Sequence, residues 1–89
     1  MTAYIVSYDL NTQGQKYKCL TDKLEAYGTY WHAQGSVWII ISSQTATQVR
    51  DNLKSCLDSN DELFVGKLSG EAAWFGYSSQ ISDWLKKNL

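Results

Sequence analysis

The run Tyr4-Ile5-Val6-Ser7-Tyr8-Asp9-Leu10-Asn11 constrains the fold of this chain more than any other stretch. Six of the eight positions from Ala3 to Leu10 are apolar, and Tyr, Ile and Val suit the pleated surface of a strand covered on both faces. It reads as a central strand. Side chains alternate along it, so Tyr4, Val6, Tyr8 and Leu10 share one face while Ile5, Ser7 and Asp9 share the other. The second face turns polar and finishes on a carboxylate. Asn11-Thr12-Gln13-Gly14-Gln15 then supplies turn chemistry, because Asn and Gly tolerate backbone angles that branched residues resist.

The rest of the chain supplies elements to pack around that strand. Tyr17, Leu20, Leu24 and Tyr27 recur at spacings of three, four and three, which predicts a helix from about 15 to 27 stopped by Gly28. Two strands follow, about 29 to 34 and 36 to 42, broken near Gly35-Ser36. Read instead as one continuous strand, the segment would gather His32, Gln34, Ser36 and Trp38 on a mixed polar and aromatic face. Thr45 and Gln48 match a capping box, and Ala46, Val49, Leu53, Cys56 and Leu57 form the apolar stripe of a helix over 45–57. Asp58 to Asp61 read as a solvated turn and Glu62 to Leu68 as a strand. Ala72 to Tyr77 reads as a short edge strand. Ser79 caps a last helix docked through Ile81, Trp84 and Leu85, with Lys86 and Lys87 favourably placed against its dipole.

The order β-α-β-β-α-β with a C-terminal extension predicts an α+β, ferredoxin-like (split βαβ) domain spanning 1–89, an antiparallel sheet with both helices on one face. Its other face is then bare, carrying Ile5, Ser7 and Asp9 with Trp38 and Ile40 as further candidates. With 44% hydrophobic residues, four Trp and six Tyr in 89 residues, the natural cover for that face is a second copy of the chain.

Composition narrows the function classes. A formal charge of −1 does not support strong nonspecific adhesion to DNA or RNA, which takes clustered Lys and Arg. Cys19 and Cys56 fall at apolar helix positions outside any CxxC pattern, and read as separate buried thiols in a reducing compartment. With no leader pattern and no apolar run near the roughly 20 residues of a membrane span, a cytoplasmic protein without membrane contact is expected.

Asp9 is the leading candidate for chemistry, since a strand end fixes a carboxylate in position while leaving it wet. Alone it makes a poor Mg2+ site, because that ion usually takes one or two carboxylates with waters and substrate phosphates. A two-fold dimer would bring a second Asp9. His32, with its unperturbed pKa near neutrality, is a candidate acid or base. Trp31 and Trp38 are candidates for stacking on bases.

Two stretches resemble a known pattern. Tyr8-Asp9-Leu10 closing a strand, a helix ending at Tyr27-Gly28, and then Gln34-Gly35-Ser36-Val37-Trp38 are similar to VapD-type and CRISPR-associated Cas-two-type proteins, over about the first half of the chain. The tail Ser82-Asp83-Trp84-Leu85-Lys86-Lys87-Asn88-Leu89 resembles that of small bacterial and phage proteins loosely labelled SinR-like. The resemblance implies a ferredoxin-like homodimer in which Asp9 corresponds to a metal-associated aspartate. It also implies either metal-assisted cleavage of RNA or DNA or a noncatalytic grip on DNA. The chain departs from the Cas-two pattern in having only Lys16 and Lys18 where an Arg-rich segment commonly follows the aspartate.

Three expectations follow from this reading. The first is an Mg2+-dependent endoribonuclease with Asp9 as metal ligand and Ser7 and His32 beside it. Tyr8, Asn11, Trp31, Gln34, Ser36 and Trp38 would then contact substrate. The second is a noncatalytic homodimer binding a nucleotide, nucleic acid or protein partner in a groove lined by Trp31, Trp38 and Trp74. The third is a toxin or antitoxin subunit that functions in complex.

Overall fold

The computed structural model describes residues 1–11 and 17–89. In chain order its elements are β1 (Thr2–Asp9), α1 (Tyr17–Glu25), β2 (Tyr30–Gln34), β3 (Val37–Ser42), α2 (Ala46–Lys54), β4 (Glu62–Lys67) and α3 (Ser79–Asn88). The expected start of the first helix, at Gln15 and Lys16, lies outside the described residues.

The strands form one sheet in the order β2-β3-β1-β4, and every neighbouring pair is antiparallel. The most apolar strand therefore sits inside the sheet, where both its edges are paired. Register decides which side chains share a face. Val6 lies opposite Trp38 and Val65, and Trp38 lies opposite His32, so these four point to one side. Ile5 lies opposite Ile39 and Gly66, and Ile39 lies opposite Trp31, on the other side.

The first side holds the main core. Tyr4, Val6, Tyr8, Trp38 and Ile40 pack against Leu20 and Leu24 of α1 and Val49 and Leu53 of α2. Trp38, at 1% exposure, is the largest fully buried side chain. This corrects the placing of Trp38 and Ile40 on the open face. The face is set by the pairing of β3 with β1, which places Trp38 opposite Val6 and Ile40 opposite Tyr4, a register that the pattern of either strand alone does not report.

Thr45 caps α2 with the full reciprocal box, its hydroxyl accepting from the Gln48 amide while the Gln48 side chain accepts from the Thr45 amide. Ser78, not Ser79, caps α3, accepting from the Ile81 amide. No strand forms between Gly70 and Gly76. Both glycines have positive φ, 97° and 91°, conformations that suit Gly because it has no Cβ. The chain is turned across the second face of the sheet at these points instead of running along an edge.

That face is consequently not bare. Residues 68–77 and α3 lie over its β2–β3 half, with Leu85 buried. Trp31 meets the Tyr77 ring edge-on at 4.7 Å between centroids and Trp84 at 6.4 Å. Trp74 donates its indole N–H to the Ser82 hydroxyl, which ties the crossing segment to the helix.

Cys19 and Cys56 are joined by a disulfide, with Cα atoms 5.8 Å apart. This corrects the reading of two separate buried thiols: Cys56 is buried at 1% exposure but Cys19 is exposed. Cys19 flanks the Leu20–Leu24 stripe, and Cys56 sits in the turn that closes α2. Each looks apolar within its own helix, and only the packing of the two helices brings them together. With a sequence separation of 37, the chain-entropy treatment gives the bridge about 4 kcal/mol of stabilisation.

Candidate functional site

The uncovered half of the second sheet face lies along β1 and β4. Ser7 stands opposite Phe64, and Asp9 opposite Glu62, with Asp9 and Glu62 both exposed. Directly opposed residues on an antiparallel pair have Cβ atoms about 4.5–5.5 Å apart. Two carboxylates therefore share one end of the sheet, beside a phenyl ring that is 63% exposed. The pairing of Glu62 with Asp9 escaped the sequence reading because the two lie 53 residues apart in the chain; only strand pairing makes them neighbours.

The backbone around Asp9 is held from the far side. The Asn11 amide N–H donates to Asp61 Oδ1 at 2.9 Å, and the Asn11 side-chain amide donates to the Asn60 carbonyl. Asp61 Oδ2 in turn accepts from the Asp58 amide at 2.9 Å. Asn11 thus clamps the end of β1 to the loop leading into β4. The loop carboxylate fixes backbone donors on both sides, so the two strand ends that carry Asp9 and Glu62 are positioned together.

The other expected site residues are dispersed. Ser7 shares the face of Asp9. His32 is on the opposite face, stacked on Trp38 with centroids 4.1 Å apart and planes 14° from parallel, and its Nε2–H donates to the Gly35 carbonyl at 3.0 Å. It does not join Asp9. Tyr8 and Trp38 are in the core, where the Trp38 indole N–H donates to the Tyr8 hydroxyl at 3.1 Å. Burial raises the Tyr8 pKa, the Trp38 bond opposes that rise, and the neighbouring Tyr17 adds to it. Neither ring is available to stack on a base. Ser36 accepts the Tyr8 amide through its backbone carbonyl, extending the β1–β3 ladder into the turn.

Trp31 and Gln34 belong to a second constellation. A cavity of about 400 Å³ opens between the sheet and the C-terminal segment, walled by Ile5, Trp31, Ile39, Trp74, Tyr77 and Leu85 among others. The Gln34 amide donates to the Tyr77 hydroxyl across 3.4 Å at its rim. The cavity is apolar and aromatic, a setting for a planar or greasy guest and not for ionic chemistry. Of the expected Trp31, Trp38 and Trp74 groove, the two outer residues meet here while Trp38 lies on the other side of the sheet.

Hard oxygen donors such as the Asp9 and Glu62 carboxylates suit Mg2+. Among the described residues, no group of three or more His, Cys, Asp or Glu side chains converges. At this end of the sheet one chain offers two carboxylates, Asp9 and Glu62. No helix among the described residues is long and apolar enough to cross a membrane.

No protein-family model matches the chain. Among solved structures, a hypothetical protein from Thermus thermophilus is similar, with a TM-score of 0.67 at 23% identity over 85% of this chain and 92% of that one. At that identity the similarity speaks to the fold: a small α+β chain with a four-stranded antiparallel sheet.

Proposed function

We propose that the chain is a ferredoxin-like subunit of a cytoplasmic homodimer that hydrolyses phosphodiesters in RNA with the help of Mg2+, as its resemblance to VapD-type and Cas-two-type proteins implies. The strand order, with β3 inserted between β1 and β2 and β1 between β3 and β4, supports the fold assignment. The observation that carries the functional reading is the pairing of Asp9 with Glu62 on the uncovered end of the sheet. Two exposed anions directly opposite one another are unfavourable unless something offsets their charge. A divalent cation does so.

A second copy docking across Ser7 and Phe64 would add its own Asp9 to the same region. Bound Mg2+ would polarise the phosphate and lower the pKa of a coordinated water. Asp9 and Glu62 would hold the ion and Ser7 would offer a hydroxyl to a phosphate oxygen, while the Asn11 clamp keeps the strand end in register. His32 has no part in this site.

The test is cleavage of single-stranded and structured RNA with and without Mg2+, together with sedimentation to establish the assembly state. Chelator-sensitive cutting that Asp9→Ala and Glu62→Ala each abolish is the expected result. Cutting at an unchanged rate by Asp9→Ala overturns the proposal. A second reading, a noncatalytic binding module, is favoured by the aromatic cavity at Trp31, Trp74 and Tyr77. Nucleotide-dependent quenching of tryptophan emission, unaffected by chelator and accompanied by no turnover, distinguishes it.

A further inference from the structure

The disulfide and the carboxylate pair lie at two ends of one short chain of contacts. Cys56 sits in the turn that ends α2, its amide bonded to the Leu53 carbonyl and the Leu57 amide to that of Lys54. The chain then runs through Asp58 to Asp61, where Asn60 and Asp61 grip Asn11, and enters β4 at Glu62, opposite Asp9. At its other end the bridge holds Cys19 in the opening turn of α1, the helix that follows Asp9 and Asn11 in sequence. One covalent bond therefore restrains both chain segments that flank the Asp9–Glu62 end.

Besides the bridge, α1 is held by Leu20 and Leu24 in the core, by the Tyr17 ring against Tyr8 and, just past its end, by hydrogen bonds of the Tyr27 hydroxyl with Gln44 and Asn52. It is nine residues long, with only Leu20 and Leu24 buried, and helices of that length are marginal without tertiary support. Its polar side-chain contact with α2 is a 3.5 Å hydrogen bond from Lys23 to Asn52, beside the apolar contact of Leu20 and Leu24 with Val49 and Leu53. Exposure at the two ends of the bridge is unequal, with Cys19 open and Cys56 buried, so an attacking thiolate has access through Cys19.

We infer that Cys19–Cys56 is a reversible thiol switch that sets the order of the sheet end carrying Asp9 and Glu62. Attack by one thiolate of a dithiol reductant on Cys19 Sγ forms a mixed disulfide and releases the Cys56 thiolate. The reductant's second thiol then displaces Cys19 and closes to a cyclic disulfide. Two electrons and two protons pass to the protein's sulfurs, and a disulfide oxidant reverses the exchange. Reduction frees α1 from the α2 turn, and the Asn11 clamp loosens with it. The central sheet, held by β1–β3 pairing, stays folded. This holds whether or not Asp9 binds a metal.

The test is amide hydrogen exchange on air-oxidised protein, on the same protein with dithiothreitol, and on Cys19→Ser. Reduction and the substitution are each expected to speed exchange at Asn11, Leu20 and Leu24 by about tenfold more than at Val6 and Ile40, as in local opening added to the general loss of stability. Reoxidation with glutathione disulfide restores protection to the reduced wild-type protein. Equal protection of Asn11 in both states overturns the inference. So does equal acceleration at Val6 and Ile40, which marks the bridge as a staple for the whole domain, and so do two alkylatable thiols in the air-oxidised protein.

Discussion

The Trp38 indole N–H donates to the Tyr8 hydroxyl across 3.1 Å in the middle of the core. Tyr8→Phe keeps the ring and removes the acceptor, leaving a buried donor without its partner. Such a loss costs about 1–3 kcal/mol, and urea denaturation should show a lower midpoint with an unchanged slope.

The same hydroxyl gives a pH signature. Burial raises its pKa, so the folded chain holds that proton more tightly than the unfolded one. The stabilising contribution is complete below about pH 10, the ordinary tyrosine value, and is lost as pH rises through the elevated folded value. The stability of Tyr8→Phe should therefore fall less steeply than wild type above that pH.

Asp9 and Glu62 repel in the absence of a cation. Asp9→Asn or Glu62→Gln should slightly raise the thermal midpoint in chelator at low salt, and the gain should fade as salt screens the pair. If the pair binds a divalent cation, adding Mn2+ should reverse the order, because wild type would gain stability by binding and the variants would not.

Phe64 rests over Gly66: a Cβ built on that glycine would lie 2.8 Å from Phe64 Cε2. Because the ring is an exposed, movable group, Gly66→Ala should be tolerated in the single subunit. If two copies meet through this ring, tilting it should weaken their association by about tenfold, roughly 1.4 kcal/mol, read by sedimentation across a dilution series.

Removing the bridge with Cys19→Ser should cost about 2–4 kcal/mol. For a chain of this size that corresponds to a fall in Tm of about 10 °C or more, measurable by circular dichroism.

What sequence reveals here depends on how local the signal is. The central strand follows from an apolar run, and α2 from a Thr45–Gln48 spacing that makes its own hydrogen bonds. Trp38 and His32 were legible as strand residues but not as helix-side ones, because their side is set by the register that puts Trp38 opposite Val6, and that register joins segments far apart in the chain. Glu62 and the Cys19–Cys56 pair depend on segments far apart in the chain, and no pattern within one element reports them. The C-terminal aromatics read as a strand because their composition suits one, yet glycines with positive φ at 70 and 76 turn them over the sheet.

That crossing has a thermodynamic corollary for assembly. By shielding half of the sheet with its own tail, the chain leaves any mate only a narrow strip beside β4. A contact confined to that strip buries less than one across the whole face, and durable complexes typically bury roughly 1,600 Å². Twin subunits joined there should part on dilution, and occupancy of the shared acidic pocket should rise and fall with protein concentration.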